Sequence, residues 1–406
     1  MTGTHSRRAL GIALSALIAA VGFSALAAPA AAATAESCTR TLPTGTSTLS
    51  VPFGGGSYDV RVHVPAAAAA GALPLVLDLH GSNSNGTVQA GISGLSTVAD
   101  AEGFIVVNPS GAIGAPSFAQ TLPEGNWGWN VPGVPLTSGT FPPAGSRDDV
   151  AFVSAVVEAV DAQGCVEDGA VFATGFSGGG RMASALACAR ADLFAAVAPV
   201  AGLRAGRADT AAPATIEAGS CAPSQPVAVQ SFHGTADAVN PYPGNTDPRW
   251  GYSVATAGAG WAALDGCDAA PVTTPVTTTV SRIAFPGCEG GSDVEYYEIT
   301  GGGHTWPGTS VDLETLGLGV VDRSITASTL MWDFFAAHAR VAAAPEPTTP
   351  PAPSAPAQPP VDAPVTTAPQ RELAATGPET ADAAWLALAA MIIGASAVVA
   401  VRRRTA

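Results

Sequence analysis

The chain has 406 residues, 32 of them acidic and 17 basic, and a formal net charge of −15 at pH 7. An acidic chain without a basic run is a poor candidate for binding nucleic acid or anionic lipid surfaces, so we expect no nucleic-acid partner. No CxxC pair and no His-rich cluster occurs, so the sequence gives no support for a metal site and predicts none. All 17 basic residues are arginine, a composition that suits a high-GC genome.

The N-terminus is a predicted secretory signal peptide over residues 1–35. Arg7 and Arg8 precede an apolar run at 9–28, and small residues suited to cleavage follow it. The pair of arginines leaves open whether export uses the general or the twin-arginine route. All six cysteines lie in the exported part of the chain, where an even number in an oxidising compartment predicts three disulfides.

A domain at 36–341 follows, in which apolar strands alternate with helical segments. We predict strands at 48–52, 58–64, 73–79, 103–107, 170–174, 193–200, 227–232 and 294–300. We predict a helix that begins at Asp148, and others at 181–187, 253–264 and 326–340. The first two strands alternate like an antiparallel edge, and the rest predict a mostly parallel sheet with helices on both faces.

The C-terminal part of the chain is predicted to form a spacer followed by an anchor. Residues 342–372 form a Pro/Ala/Thr-rich linker that cannot bury a core and is expected to be an extended spacer. In 373–406, the pentapeptide LAATG precedes a predicted transmembrane span at 383–401 and the basic tail RRR. This arrangement resembles a Gram-positive sortase signal of the LPXTG type, in the LAXTG variant associated with actinobacteria. The alternative is a plain C-terminal membrane anchor.

The sortase resemblance implies cleavage between Thr376 and Gly377 and covalent attachment to peptidoglycan. The expected partners are therefore a sortase and the cell wall, and the expected location is the surface of a Gram-positive, actinobacterial-type cell. The precursor would be inserted in the membrane.

The segment AVFATGFSGGGRMASALACA, residues 170–189, predicts a nucleophile elbow. A strand leads into Gly-Phe-Ser-Gly-Gly, and a helix follows at once. Such a turn strains the backbone of Ser177, so the residues two positions away must be small, and both are glycine. The hydroxyl then stands at a helix N-terminus, where backbone N–H groups favour a developing oxyanion. The alternative is a Gly-rich turn with an incidental serine.

A base and an acid for Ser177 are sought at the other strand ends. His304 follows three glycines late in the chain, where its imidazole could reach the serine, whereas His80 and His233 directly follow strands and suit packing or turn support. Asp237 follows a strand end by five residues and gives the order Ser, Asp, His that α/β-hydrolases use. Asp237 and His304 are therefore the predicted partners of Ser177, and a turn aspartate such as Asp247 is the alternative acid.

The predicted oxyanion hole has two backbone donors. One is the N–H of Gly178, directly after the nucleophile. The other is the N–H of Ser82, with Gly81 as the fallback, in the loop His80-Gly81-Ser82 after an earlier strand. A donor of this kind contributes about 3–4 kcal/mol to transition-state stabilisation.

Six motifs carry a family resemblance: LDLHGS, DDVAFV, ATGFSGGGRMA, LACARADLFAAVAPVAG, FHGTAD and GGGHTWPG, in that order. The series resembles the secreted esterases that comprise polyhydroxybutyrate depolymerases (LpqC-like), feruloyl esterases and acetylxylan esterases, carbohydrate esterase family 1. It covers roughly residues 58–337. It implies an α/β-hydrolase fold, a serine esterase without cofactor, and an ester of a polyester or a plant polysaccharide as substrate.

The resemblance also suggests further residues. Trp306 and His80 are the candidate substrate contacts, Trp306 as part of the acyl pocket. Relatives share a disulfide corresponding to Cys267 and Cys288. Cys165 with Cys188, which flank the elbow, is the expected second pair, and Cys38 with Cys221 is the remainder.

Two features depart from the family pattern. Gly178 stands where many relatives have Asn, and a wall anchor stands where some depolymerases carry a substrate-binding domain. Two other functions remain open on sequence alone. The first is a surface adhesin or carbohydrate-binding protein that kept the fold without the chemistry. The second is a serine peptidase on the same fold.

Overall fold

The computed structural model describes residues 39–66, 71–114, 121–268 and 270–340. The signal peptide at 1–35, the linker at 342–372 and the sortase signal at 373–406, with Thr376, Gly377 and the predicted span, lie outside the described residues, as does Cys38. Within the described ranges, no helix is both long and apolar enough to cross a membrane.

Twelve strands and six α-helices are formed in the described ranges. The strands are β1 (Gly45–Phe53), β2 (Gly56–Val64), β3 (Leu73–Leu79), β4 (Ile105–Asn108), β5 (Ile113–Gly114), β6 (Trp127–Gly128), β7 (Val166–Phe176), β8 (Ala196–Val200), β9 (Ala228–Gly234), β10 (Val272–Pro275), β11 (Val280–Phe285) and β12 (Val294–Ile299). The helices are α1 (Gly86–Ser93), α2 (Leu95–Glu102), α3 (Asp149–Gly164), α4 (Gly178–Ala189), α5 (Val254–Leu264) and α6 (Ala327–Ala337).

Ten strands form one sheet in the order β1-β2-β4-β3-β7-β8-β9-β12-β11-β10, and β5 pairs with β6 separately. The six central strands, from β4 to β12, are parallel to one another, and antiparallel strands close both edges. This is the predicted α/β-hydrolase arrangement. All the parallel strands therefore end at one edge of the sheet, the edge where ligands bind in open α/β sheets.

Both faces of the sheet are covered, because the central strands are apolar on both sides. Along β3, Leu75 and Leu77 belong to one hydrophobic cluster and Val76 to the other. The first cluster includes residues of α3, α4 and α5, and the second includes residues of α1, α2 and α6. Near-continuous apolar strands of this kind require helices on both faces.

The predicted elements are confirmed in kind, with ends that move by a few residues. Asp148 caps α3 as predicted, since its carboxylate accepts from the N–H of Ala151. Six elements were not predicted: α1, α2, the short strand pair β5 and β6, and the antiparallel strands β10 and β11. Helices α1 and α2 each have eight residues and meet at Gly94, whose positive φ of 63° ends one and begins the other, so neither is long enough to show a clear helical period.

Two disulfides join described residues, and they correct part of the predicted pairing. Cys267 is bonded to Cys288, as predicted. Cys188 is bonded to Cys221, so the predicted pairs Cys165–Cys188 and Cys38–Cys221 are both wrong; Cys165 is also disulfide-bonded. The reason is the course of the chain after β8, which folds back over α4 and brings Cys221 beside the last turn of that helix.

Candidate active site

Ser177 stands between β7 and α4 in a strained backbone conformation, with φ 56° and ψ −111°. Its N–H donates to the carbonyl of Val200 at 2.9 Å, which fixes the turn to the neighbouring strand. A Cβ at Gly175 would lie 2.6 Å, and one at Gly179 2.0 Å, from the carbonyl oxygen of Leu79. Both flanking positions must therefore be glycine, as the elbow motif predicts.

Asp237 and His304 meet at the carboxyl ends of β9 and β12. The Nδ1 of His304 and the Oδ2 of Asp237 are 2.7 Å apart, and both side chains are buried. The other carboxylate oxygen, Oδ1, accepts from the backbone N–H groups of Val239 and Asn240, each at 2.8 Å. The carboxylate is thus held on both oxygens and faces the imidazole.

The environment of Asp237 keeps it ionised. Burial alone would raise its pKa, but hydrogen bonds with His233 and His304 outweigh burial and hold the pKa below its usual range. The Nε2 of His233 lies 3.3 Å from Oδ2 and 2.8 Å from the carbonyl of Asn240. Because an ionised carboxylate only accepts, the proton between Asp237 and His304 sits on Nδ1 of His304. The Nε2 atom of His304 is then left to accept a hydrogen bond.

The loop that carries His304 lies against the elbow. The backbone N–H of His304 donates to the carbonyl of Leu318 at 2.6 Å, and the imidazole packs on the ring of Phe176 with centroids 4.8 Å apart. Phe176 directly precedes Ser177 in the chain. The structure therefore pairs His304 with Asp237 and packs the imidazole on the residue before Ser177. Ser177 itself is only 8% exposed. Phe176 contacts His304, and His233 contacts Asp237. Packing or turn support was predicted for His233, whereas Phe176 was not singled out.

The predicted oxyanion loop lies beside the start of α4. A Cβ at Gly178 would lie 2.9 Å from the backbone nitrogen of Ser82, and a Cβ at Gly81 would lie 3.6 Å from the Cβ of Ser177. The backbone around Ser82 and the first turn of α4 therefore approach each other next to the nucleophile. The amides of Ser82 and Gly178 as oxyanion donors stay a prediction on this geometry.

His80 is fully buried, and both of its ring nitrogens are engaged. Nδ1 lies 2.7 Å from the carbonyl of Gly81, and Nε2 accepts from the N–H of Gly111 at 2.9 Å. Burial lowers the pKa of His80 to about 4, so the ring is neutral near pH 7. The prediction that His80 contacts the substrate is therefore wrong. Its imidazole holds the loops of Gly81 and Gly111 by hydrogen bonds and has no polar ring atom left for a ligand.

Trp306 is also a structural residue. It is 1% exposed, belongs to the cluster beneath the sheet with residues of α6, and donates its indole N–H to the hydroxyl of Ser328 at 3.0 Å. The prediction that it lines an acyl pocket is wrong, because its side chain packs into the core. Trp306 therefore anchors the loop that carries His304.

A cavity of about 60 Å³ opens beside the oxyanion loop. Its walls include Ser82 and Gly178, with Trp129, Val131, Val134 and Leu136 from the segment between β6 and α3. This mostly apolar space next to the predicted nucleophile is suited to part of an ester substrate. Across the described ranges, no group of three or more His, Cys, Asp or Glu side chains could hold a metal ion.

Comparison with known proteins finds similarity to esterases. Residues 57–248 match the family described as "Esterase PHB depolymerase". The chain is 29% identical over 279 residues to "Putative esterase NocK" of Nocardia uniformis subsp. tsuyamanensis, covering 64% of this chain and 73% of that protein. It is 32% identical over 192 residues to "Feruloyl esterase C" of Emericella nidulans, covering 47% of this chain and 58% of that one.

Among solved structures, an acetyl xylan esterase from Aspergillus awamori aligns with a TM-score of 0.41 and 20% identity, covering 63% of this chain and 91% of that chain.

Proposed function

We propose that this chain, a carboxylic ester hydrolase whose residues 57–248 form an Esterase PHB depolymerase domain, acts through Ser177, His304 and Asp237 by an acyl-enzyme route. The observation that carries the proposal is the 2.7 Å contact between His304 Nδ1 and Asp237 Oδ2, on a loop packed against the residue before the strained serine. A serine, a base and an acid that orients the base form the arrangement that activates a hydroxyl nucleophile.

In the first half of the reaction, Ser177 Oγ attacks the ester carbonyl and His304 Nε2 takes the hydroxyl proton. Asp237 holds the imidazole in that tautomer and stabilises the imidazolium, and the amides of Gly178 and Ser82 receive the oxyanion. His304 then gives the proton to the leaving alcohol. In the second half, His304 activates a water that attacks the acyl-enzyme and releases the acid.

The substrates that the relatives suggest are short-chain hydroxyalkanoate, feruloyl and acetyl polysaccharide esters. A panel of p-nitrophenyl acetate and butyrate, methyl ferulate, acetylated xylan and polyhydroxybutyrate tests this range. We expect turnover of the p-nitrophenyl esters and of at least one natural ester. Faster cleavage of aminoacyl anilides than of these esters would indicate a peptidase instead.

We further propose that the enzyme is secreted and joined to the cell wall through Thr376 after sortase cleavage before Gly377. The support is the order of LAATG, apolar run and RRR tail in the sequence. Mass spectrometry of wall fragments should find peptides ending at Thr376 linked to peptidoglycan. Recovery of the intact C-terminal span in membrane fractions would contradict the proposal.

A further inference from the structure

Arg204 is a buried cation whose guanidinium lies against the aromatic rings of Trp250 and Tyr252. It is 7% exposed, and none of its three guanidinium nitrogens has a hydrogen-bond partner in the part of the chain that the structure describes. One face of the guanidinium lies on Trp250, 3.1 Å from the ring centroid. Stacking occupies the face of the guanidinium and leaves its N–H donors without acceptors. A buried charge in this condition destabilises the fold unless a ligand supplies the acceptors.

The position of Arg204 is fixed by its backbone. Its N–H donates to the hydroxyl of Ser184 at 3.1 Å, and its carbonyl accepts from the indole N–H of Trp261 at 2.8 Å. Burial lowers the pKa of Arg204 to about 9, and the neighbouring Tyr252 hydroxyl offsets this only in part. That hydroxyl donates its own proton to the carbonyl of Gly206. Arg204 is therefore still a cation at neutral pH.

Arg204 lines a cavity of about 150 Å³ that is cationic in an otherwise acidic protein. Three more arginines line it, and among the described residues no Asp or Glu does. Arg207 and Arg249 are paired with acids outside the cavity, Glu217 and Asp247. Arg181 donates Nη1 to the carbonyl of Arg249, and its Nε has no hydrogen-bond partner among the described residues. It contributes a second cation, which the Asp247 carboxylate offsets only through space.

This cavity adjoins the proposed active site. Arg181, Val131 and Val134 line both it and the smaller cavity that Ser82 and Gly178 border. Arg181 Nη2 also lies 3.4 Å from Ser82 Oγ. A molecule that reaches from the oxyanion loop past Arg181 would therefore present its far end to Arg204.

We propose that the arginine-lined cavity binds a carboxylate carried by the ester substrate, with the free edge of Arg204 as the receiving group. The proposal deepens the esterase function above and rests on it. A guanidinium edge donates two parallel hydrogen bonds to the two oxygens of a carboxylate, and a site of this kind discriminates against a neutral isostere. The carboxylate can belong to the alcohol part, as in the chain end of a hydroxyalkanoate oligomer, or to the acyl part, as in a dicarboxylic half-ester.

Two matched pairs of substrates test the proposal and separate these sources. The first is 3-acetoxybutanoate against 3-acetoxybutanamide, with the charge on the alcohol part. The second is monomethyl glutarate against methyl glutaramate, with the charge on the acyl part. We expect kcat/KM in the unmodified enzyme to favour the acid roughly tenfold or more in one pair, the scale of a charge-assisted hydrogen bond. A ratio near one in both pairs would overturn the proposal.

Variants of Arg204 test whether this residue causes the preference for the acid over the amide. Arg204→Gln should bring the ratio of acid to amide to about one, whereas the control Arg190→Gln, at a surface arginine paired with Asp192, should keep it. Arg204→Lys keeps the charge without the planar fork and should give an intermediate ratio. A preference that survives unchanged in Arg204→Gln would contradict the assignment. Should Arg204→Gln fail to fold, the ratio in the unmodified enzyme and in Arg204→Lys still decides.

The experiment also separates this inference from the esterase proposal. Hydrolysis of p-nitrophenyl acetate, together with equal kcat/KM for acid and amide in both pairs, would contradict the carboxylate site and leave the esterase proposal standing. Loss of all ester hydrolysis would remove the esterase proposal, and calorimetry would then test the cavity alone. In that case 3-hydroxybutanoate should bind the unmodified protein and bind Arg204→Gln at least tenfold more weakly, and equal binding would overturn the site.

Discussion

Ser82 occupies the space beside Gly178 that a side chain would otherwise fill. A Cβ at position 178 would lie 2.4 Å from Ser82 Oγ and 2.9 Å from its backbone nitrogen. The departure from the family pattern at Gly178 therefore has a physical counterpart, since this oxyanion loop lies too close to α4 for any larger residue. We infer that the glycine and the position of the loop depend on each other.

The Gly178→Ala variant tests this dependence. The added methyl group would displace the backbone of Ser82, so we expect kcat to fall roughly 100-fold, the effect of losing one oxyanion donor. Gly91→Ala on α1 is the matched control, because a Cβ there meets no atom within 4 Å. An unchanged kcat on p-nitrophenyl butyrate in Gly178→Ala would contradict the tight approach of the two segments.

The proposed triad should act as a unit. Ser177→Ala and His304→Ala should each remove most of the turnover, and the double variant should be little slower than either single one, because the groups work in the same step. Asp237→Asn should cost about 10⁴ in kcat through loss of the working imidazole tautomer. Ser50→Ala and His338→Ala are controls at positions distant in sequence. Additive losses in the double variant would argue against a shared step.

Chain order and strand ends predicted where the three proposed triad residues lie in the fold. Ser177, Asp237 and His304 each follow a strand of the parallel set, and such strands end at the same edge, so sequence alone brings them together. His80 and Trp306 were assigned to the substrate from the family motifs instead, and the structure buries both side chains. A motif shows that a residue type matters, but it does not show whether the side chain turns toward the ligand or into the core.

Contacts between segments that are distant along the chain could not be predicted from the sequence. Arg204 follows β8 in the unremarkable segment AGLRAG, and nothing in it signals that Trp250, 46 residues later, will cover one face of the guanidinium. Cys188 and Cys221 meet for a similar reason, since the pairing depends on how the segment between them crosses α4. Spacing along the chain cannot supply this information when a long irregular segment intervenes.

His80 should make the protein sensitive to acid. Its pKa is about 4 in the folded protein, against an ordinary value of 6.5, so the unfolded chain binds the proton more readily. This contribution is complete above about pH 6.5 and is lost as the pH falls to about 4, in total about 3 kcal/mol. Asp78, whose pKa burial raises to about 7, acts with the opposite sign.

The His80→Gln variant isolates this term, because Asp78 is present in both proteins. Urea unfolding between pH 4.5 and 7.5 should show a free energy of unfolding that falls more steeply with acid in the unmodified protein than in the variant. Equal slopes for the two proteins would show that the ring is not held neutral in the fold.

The Cys188–Cys221 disulfide should stabilise the segment that carries Arg204. It closes a loop with a sequence separation of 33, for which loop entropy predicts about 4 kcal/mol. The double variant Cys188→Ser/Cys221→Ser should lower the free energy of unfolding by an amount of this order, as measured by denaturant titration. Non-reducing peptide mapping should recover Cys188 with Cys221 and Cys267 with Cys288. A peptide linking Cys188 to Cys165 would contradict the structure.

The central claim is that Ser177 is the nucleophile, and covalent labelling tests it most directly. The purified protein is treated with a fluorophosphonate, and labelling is followed by intact mass and by peptide mapping while p-nitrophenyl butyrate hydrolysis is measured. We predict one adduct per chain, on the peptide that contains Ser177, with activity lost in proportion to labelling and no adduct in Ser177→Ala. Full inhibition with the label on another residue, or full activity in Ser177→Ala, would contradict the assignment.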